Sequence, residues 1–232
     1  HCHGDHSPLS AWMKEEYGVP TYAFGPHRMV EGWTEEDDHD PSEEDETDDK
    51  DDEENEPLDV DFRPDVTVRD GDEMVRTKEF TLQAVHTPGH TSNHLCVSMP
   101  EEHTLFSGDH VMGWSTTVVS PPDGDMAAYL ASLQGLKSLP LQWLAPGHGF
   151  LIEAPAREFQ RLIDHRLARE AKVLAALRAQ PAPLGTAELL PQVYGDVPAA
   201  RHGVAERSLR AHLLKLQADG LALHAEGRWQ AA

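Results

Sequence analysis

The sequence opens on His1-Cys2-His3-Gly4-Asp5-His6, and the reading of this stretch decides the fold. Imidazole and carboxylate are the ligands that a borderline cation such as zinc accepts. One His-x-His pair alone carries little information. Three later motifs raise its weight: His86-Thr87-Pro88-Gly89-His90-Thr91, Phe106-Ser107-Gly108-Asp109-His110 and Ala145-Pro146-Gly147-His148-Gly149. In each, a β-like run ends beside a glycine and a ligand-type residue follows: His90, Asp109, His148. Glycine lets the backbone turn sharply, so the next side chain swings toward a common cleft. Together with the opening stretch this gives a candidate set of five histidines and two aspartates.

Outward from the motifs, the pattern alternates strands and helices. Residues 7–17 predict a short helix, with Ser7 as N-cap and Pro8 in the first helical position. Residues 22–24 predict a short strand. From 66 the pattern is β-like: 66–68, the turn at Asp70-Gly71-Asp72, then strands over 80–86, 94–99 and 104–107. Residues 125–138 predict a helix with Met126, Tyr129, Leu130, Leu133 and Leu136 inward. A short strand over 143–145 precedes the fourth motif. A long helix runs over 155–179, opened by Pro155 and closed by Pro181. Residues 184–232 predict a separate small unit: helices near 186–194 and 205–219, then a hairpin. Leu209, Leu213 and Leu216 share one helix face there, and helix, helix and hairpin describe a winged-helix shape.

The 232 residues suffice for one large domain, or a medium one plus a small one. The net charge is −22, but it is local. Residues 31–61 hold 19 of the 41 acidic residues and one of the 19 basic ones, a charge of −18 that leaves −4 for the rest. A uniformly acidic surface is therefore disfavoured. Residues 31–57 read as a disordered acidic insertion, because like charges at this density cannot build a core. Two cysteines, Cys2 and Cys96, make no disulfide framework. Cys96 reads as a small buried hydrophobe, and Cys2 as a nucleophile is disfavoured. No apolar run is long enough to span a bilayer.

In the order and intervals of its four motifs, the sequence resembles the metallo-β-lactamase superfamily. The resemblance covers residues 1–150 and implies an α/β (α+β) fold, the αββα sandwich of that family. It implies a domain over 1–154, a long connecting helix over 155–183 and a winged-helix-like domain over 184–232. Carried over residue by residue, His1, His3 and His90 bind one metal ion, Asp5, His6 and His148 bind a second, and Asp109 bridges them. The implied cofactors are two divalent ions, zinc first, with iron or manganese as alternatives. The implied chemistry is hydrolysis by a water acidified between the ions, with Asp5 and Asp109 as catalytic carboxylates and Asp5 taking the water's proton. Family members carry several strands before the His-x-His-x-Asp-His loop; none precedes it here, so the sequence reads as a fragment of a longer product.

Other residues keep two readings. His94, four after His90, either orients a ligand from behind or sits satisfied in the core. His110 either faces substrate or is structural. Trp114, in Met112-Gly113-Trp114-Ser115-Thr116-Thr117, reads as a pocket wall with hydroxyl donors beside it, or as surface. His86 reads as structural. His27, His39, His103, His165, His202, His212 and His224 have no motif context and read as surface or helix-face residues.

Within the family, the C-terminal unit points to the lactamase-like branch that includes animal endoribonucleases and bacterial hydrolases. Nucleic-acid binders show a basic patch, and the C-terminal unit has none. Arg201, Arg207, Arg210, Lys215 and Arg228 stand there against Glu188, Asp196, Glu206, Asp219 and Glu226. The basic stripe of the long helix, Arg157, Arg161, Arg166, Arg169, Lys172 and Arg178, reads either as a seat for a small anion or as a solvated face. The leading expectation is a hydrolase of small esters or thioesters, in the cytoplasm, with a small-molecule substrate and no membrane partner. Phosphodiester or RNA cleavage is the runner-up. A non-catalytic scaffold is the alternative of a different class, disfavoured because a scaffold has no need of seven metal ligands.

Overall fold

The computed structural model describes residues 1–27 and 58–232. The acidic insertion assigned to 31–57 lies outside the described residues, as does His39. The elements run α1 (Pro8–Tyr17), β1 (Tyr22–Ala23), β2 (Val66–Thr67), β3 (Glu73–Arg76), β4 (Thr81–His86), β5 (Leu95–Met99), β6 (Thr104–Gly108), α2 (Met126–Leu136), β7 (Trp143–Pro146), β8 (Ile152–Glu153), α3 (Pro155–Ala179), α4 (Thr186–Tyr194), α5 (His202–Ala218), β9 (Ala222–Ala225) and β10 (Arg228–Ala231). The fold is mixed α/β, as the resemblance implied.

Strands β3 to β8 form one six-stranded sheet in sequence order. All neighbours are antiparallel except β6 and β7, which are parallel. A parallel pair needs a crossover, and α2 supplies it. Asp125 caps α2, its carboxylate accepting from the Ala128 amide at 2.7 Å. The helix buries Met126, Tyr129, Leu133 and Leu136 on one face. These join Cys96, Leu105, Val111, Val119 and Leu144 in a core beneath the sheet.

Helix α3 ties this core to a second one. Its first half gives Phe159, Leu162 and Ile163 to the sheet core. Its second half gives Val173 and Leu177 to a core with Leu189, Leu209, Leu213, Leu216 and Trp229. Strands β9 and β10 close that second core as an antiparallel hairpin. Leu213 is fully buried. Truncating it leaves a cavity with little freedom to collapse, so Leu213→Ala is expected to cost about 3 kcal/mol. Chemical denaturation reads this directly, and a loss under ~1 kcal/mol would place Leu213 outside a packed core.

Three local expectations need correction. Ser7 stands before α1 but makes no cap; its hydroxyl donates to Asp59 at 2.8 Å instead. His27 is buried rather than on the surface, while His212 lies on the buried face of α5. The stripe on α3 is no free anion seat, because four of its six cations are engaged within the chain, Arg161 with Glu158 among them; the solvated-face reading holds for Arg157, Arg161, Lys172 and Arg178, which are exposed. Arg166 is buried and donates to the Thr117 carbonyl, while Arg169 and Lys172 pair with Asp196. Strands β3 and β8 were not expected. Both are short edge strands, and Glu73-Met74-Val75-Arg76 has no clean alternation for a sequence pattern to catch.

Candidate metal centre

The residues singled out by sequence arrive on four connections. His1, His3, Asp5 and His6 precede α1, held to the body by the Asp59 amide, which donates to the Cys2 carbonyl at 2.8 Å. His90 lies in the turn between β4 and β5, Asp109 directly follows β6, and His148 follows β7. Gly89 has φ of +143°, and Gly108 has φ of +49°. The glycines beside His90 and Asp109 therefore occupy backbone regions that L side chains avoid.

The ligand-type atoms converge in two groups, His1, His3, His90 and Asp109, and Asp5, His6, Asp109 and His148, each within 4.8 Å. His3 Nδ1 lies 3.1 Å from His1 Nε2 and 3.2 Å from His90 Nε2. Asp109 Oδ2 lies 3.4 Å from His1 Nε2 and 2.9 Å from His6 Nε2. Asp5 Oδ2 lies 2.8 Å from His148 Nε2 and 3.3 Å from His6 Nε2. A tetrahedral shell with zinc-type bond lengths has edges of about 3.3 Å, so these spacings fit a cation.

The hydrogen-bond inventory points the same way. His90 Nδ1 donates to the Val118 carbonyl at 2.7 Å, which leaves only a lone pair on its Nε2, aimed at His3. Asp109 Oδ1 is buried and has no hydrogen-bond partner among the described residues. A buried carboxylate oxygen left so is costly, and a cation removes the cost.

Electrostatics put the groups in ligating form. Burial, reinforced by the charge of His90, lowers His3 to about 2, and burial lowers His90. Burial works to raise the Asp109 carboxyl, but the hydrogen bond from His6 and the charges of His6, His90 and His148 hold it well below its ordinary value. A neutral His3 and His90 beside an ionised Asp109 are in the states that hold a divalent cation.

Around this centre the remaining candidates separate. His94 is fully buried behind Asp109; its Nε2 accepts from the Asp109 amide at 3.2 Å. His110 is also fully buried, packed on Tyr129 with ring centroids 4.8 Å apart, so it does not face the cleft. Residues 109 and 110 sit in a turn, and the two side chains leave it on different sides. Trp114 is 63% exposed, its ring centroid 6.5 Å from that of His148, and so stands at the rim. Thr117, expected as a pocket hydroxyl, is buried and donates to the Asp109 carbonyl. His86 is structural, stacked on Phe24 and bonded to the Ser92 carbonyl. The sequence reading missed Asn93, which donates to Cys2 Sγ at 3.2 Å and to the Gly25 carbonyl at 3.3 Å, fixing the opening loop. A polar residue three past His90 was the available signal. A cavity of about 310 Å³ adjoins the centre on the α1 side, lined in part by His6, Ser10, Thr21 and Tyr22.

The family model described as the metallo-beta-lactamase superfamily matches residues 1–148. The chain belongs to the metallo-beta-lactamase superfamily. A second model, the beta-lactamase associated winged helix domain, matches residues 186–229 of this metallo-beta-lactamase chain. A beta-lactamase-like protein 2 homolog of Caenorhabditis elegans is 35% identical over 141 residues, covering 61% of this chain and 46% of that one. A protein named atrochrysone carboxyl ACP thioesterase, from Aspergillus fumigatus, is 36% identical over 129 residues, covering 51% of this chain and 40% of that one. The chain spans about half the length of the curated relatives it matches. Among solved structures, a metallo-beta-lactamase family protein from Thermus thermophilus aligns with a TM-score of 0.62 at 23% identity, over 72% of this chain and 54% of that one. That likeness supports the metallo-beta-lactamase fold. Among the described residues, no helix is long and apolar enough to cross a membrane.

Proposed function

We propose that this chain is a binuclear metallohydrolase acting on small esters or thioesters. The observation that carries the reading is the sharing of Asp109 between two four-residue ligand groups. His1, His3 and His90 would hold one ion, Asp5, His6 and His148 would hold the other, and Asp109 would serve both. Zinc is the expected metal, since imidazole and carboxylate suit it, with iron and manganese as alternatives. When bound, the pair of cations supplies an acidified water and polarises the scissile oxygen.

The protein's own groups do the rest. Val118 fixes the tautomer of His90. Asp5 is the outermost carboxylate of the centre, with 23% of its side chain exposed, so it takes and passes on a proton at the cleft. Trp114 at the rim offers an apolar face to an acyl group. The thioesterase named among the relatives supports acyl over phosphoryl substrates. The engagement of Arg161, Arg166, Arg169 and Lys172 within the chain disfavours α3 as a seat for RNA.

A panel of acyl-glutathione, acyl-CoA, lactone and single-stranded RNA, run with zinc-, iron- and manganese-loaded protein, tests the proposal. Ester or thioester hydrolysis lost on chelation and restored by metal is the expected result. Metal-dependent RNA cleavage without acyl hydrolysis would overturn the substrate class.

A further inference from the structure

We propose that His94 and Thr117 are positioning residues that clamp the Asp109 backbone from both sides and so set metal affinity at the shared carboxylate. The inference rests on the two-metal reading of the centre.

Asp109 has to serve two ligand groups at once, with Oδ2 3.4 Å from His1 Nε2 and 2.9 Å from His6 Nε2, so a small rotation of its backbone alters its fit to both. On one side, its amide donates to His94 Nε2 at 3.2 Å. An amide is only a donor, so that ring nitrogen carries no proton and the proton sits on Nδ1. Nδ1 therefore donates to Thr87 Oγ1 at 2.8 Å. The Thr87 hydroxyl, now an acceptor, gives its own proton to Cys96 Sγ at 3.2 Å. The Cys96 thiol in turn points to the Ser107 carbonyl, two residues before Asp109, at 3.5 Å. The tautomer is thus fixed by a chain that begins and ends on the strand carrying Asp109. The chain is dry, since His94 and Cys96 are fully buried and Thr87 nearly so. Gly108 makes room for the ring: a Cβ there would lie 2.8 Å from His94 Nε2.

On the other side, the Asp109 carbonyl accepts from Thr117 Oγ1 at 2.6 Å. The same hydroxyl stands 3.1 Å from the His110 carbonyl, so the two successive carbonyls converge on it. The peptide of Thr117 is held in turn by the buried guanidinium of Arg166 on α3, which donates to the Thr117 carbonyl. That guanidinium lies 5.4 Å from the centre of the Tyr129 ring, whose hydroxyl donates to the His110 carbonyl at 3.1 Å. Both peptide groups of the bridging residue are therefore fixed by buried side chains that are not ligands themselves. Outer partners of this kind are typically worth ~10–100-fold in metal affinity.

Cobalt titration of the full chain tests this, with visible absorption reporting the coordination of each equivalent. Thr117→Val keeps the shape and removes the donor; Thr117→Ser restores it. The expected result is two equivalents in the wild type, a ~10–100-fold weaker second equivalent in Thr117→Val with an altered spectrum, and recovery to within ~3-fold in Thr117→Ser. His94→Phe is expected to weaken binding in the same way, and the threonine pair keeps the test standing if that variant does not fold. Two equivalents bound with wild-type affinity and spectrum in Thr117→Val would overturn the clamp. So would equal losses in the valine and serine variants. A wild type that binds no cobalt would instead overturn the metal reading itself.

Discussion

Asp109→Asn is expected to release one of the two cations and to lower hydrolysis about 10³-fold, roughly 4 kcal/mol of transition-state stabilisation. The carboxylate belongs to both ligand groups: Oδ2 lies 3.4 Å from His1 Nε2 of one and 2.9 Å from His6 Nε2 of the other, and Oδ1 lies 3.7 Å from His148 Nε2. An amide is neutral and replaces one of the two carboxylate oxygens by an NH₂ donor, which cannot ligate a cation. The backbone of the residue is held independently by His94 and Thr117, so the fold is expected to survive. Metal content, turnover and melting are measured on the same preparation. Loss of turnover with two ions retained would move Asp109 from ligand to another role. Unchanged turnover would remove it from the chemistry.

Gly89→Ala is expected to be the most damaging small substitution in the centre, costing about 3 kcal/mol or more in stability. Two effects add. The φ of +143° lies where alanine is strained, and a Cβ there would lie 2.3 Å from Tyr129 Cα. That contact is backbone of α2, which cannot swing away as a side chain can. Gly89 also accepts from the Asp125 amide at 2.9 Å, so its turn is bonded to the start of the same helix. His90 is the next residue, and its Nε2 stands 3.2 Å from His3. Displacement of the turn therefore reaches the ligand cluster, and metal affinity is expected to fall together with stability. Calorimetry with and without zinc measures both. A variant as stable as wild type would show that the turn and α2 are not packed as described.

The convergence of the His and Asp side chains was legible because chemistry and backbone pointed the same way. His90, Asp109 and His148 each follow a β-like run, and each has a neighbouring glycine. The bounds of α3 and α4 were equally legible, marked by proline at one and by a clear apolar face at both. What surrounds the ligands was less so. Adjacency in sequence suggested that His110 shares the cleft with Asp109, yet it packs on Tyr129 within the core. Sequence order gives no side for a residue in a turn. Arg166 was read with its charged neighbours as an anion seat or a solvated face. Its spacing from Leu162 and Ile163, four and three residues, already put it on the buried face of α3. There the helical period was the better guide than charge. Thr117 acts on the carbonyls of Asp109 and His110 across a loop and Asn93 on the distant Cys2 thiol, and no periodic pattern announces such partners.

Stability and metal content are also expected to separate. Leu213 lies in the core built by α3, α4 and α5, away from the ligand residues. Its truncation is expected to lower the melt without lowering metal content, whereas Asp109→Asn does the reverse.

The most direct measurement is zinc titration of the purified chain by calorimetry, with metal content counted after dialysis. Two zinc ions per chain, falling to about one in Asp109→Asn, is the expected result. A chain that retains no zinc, or that binds the same number with and without the Asp109 carboxylate, would contradict the two-metal centre.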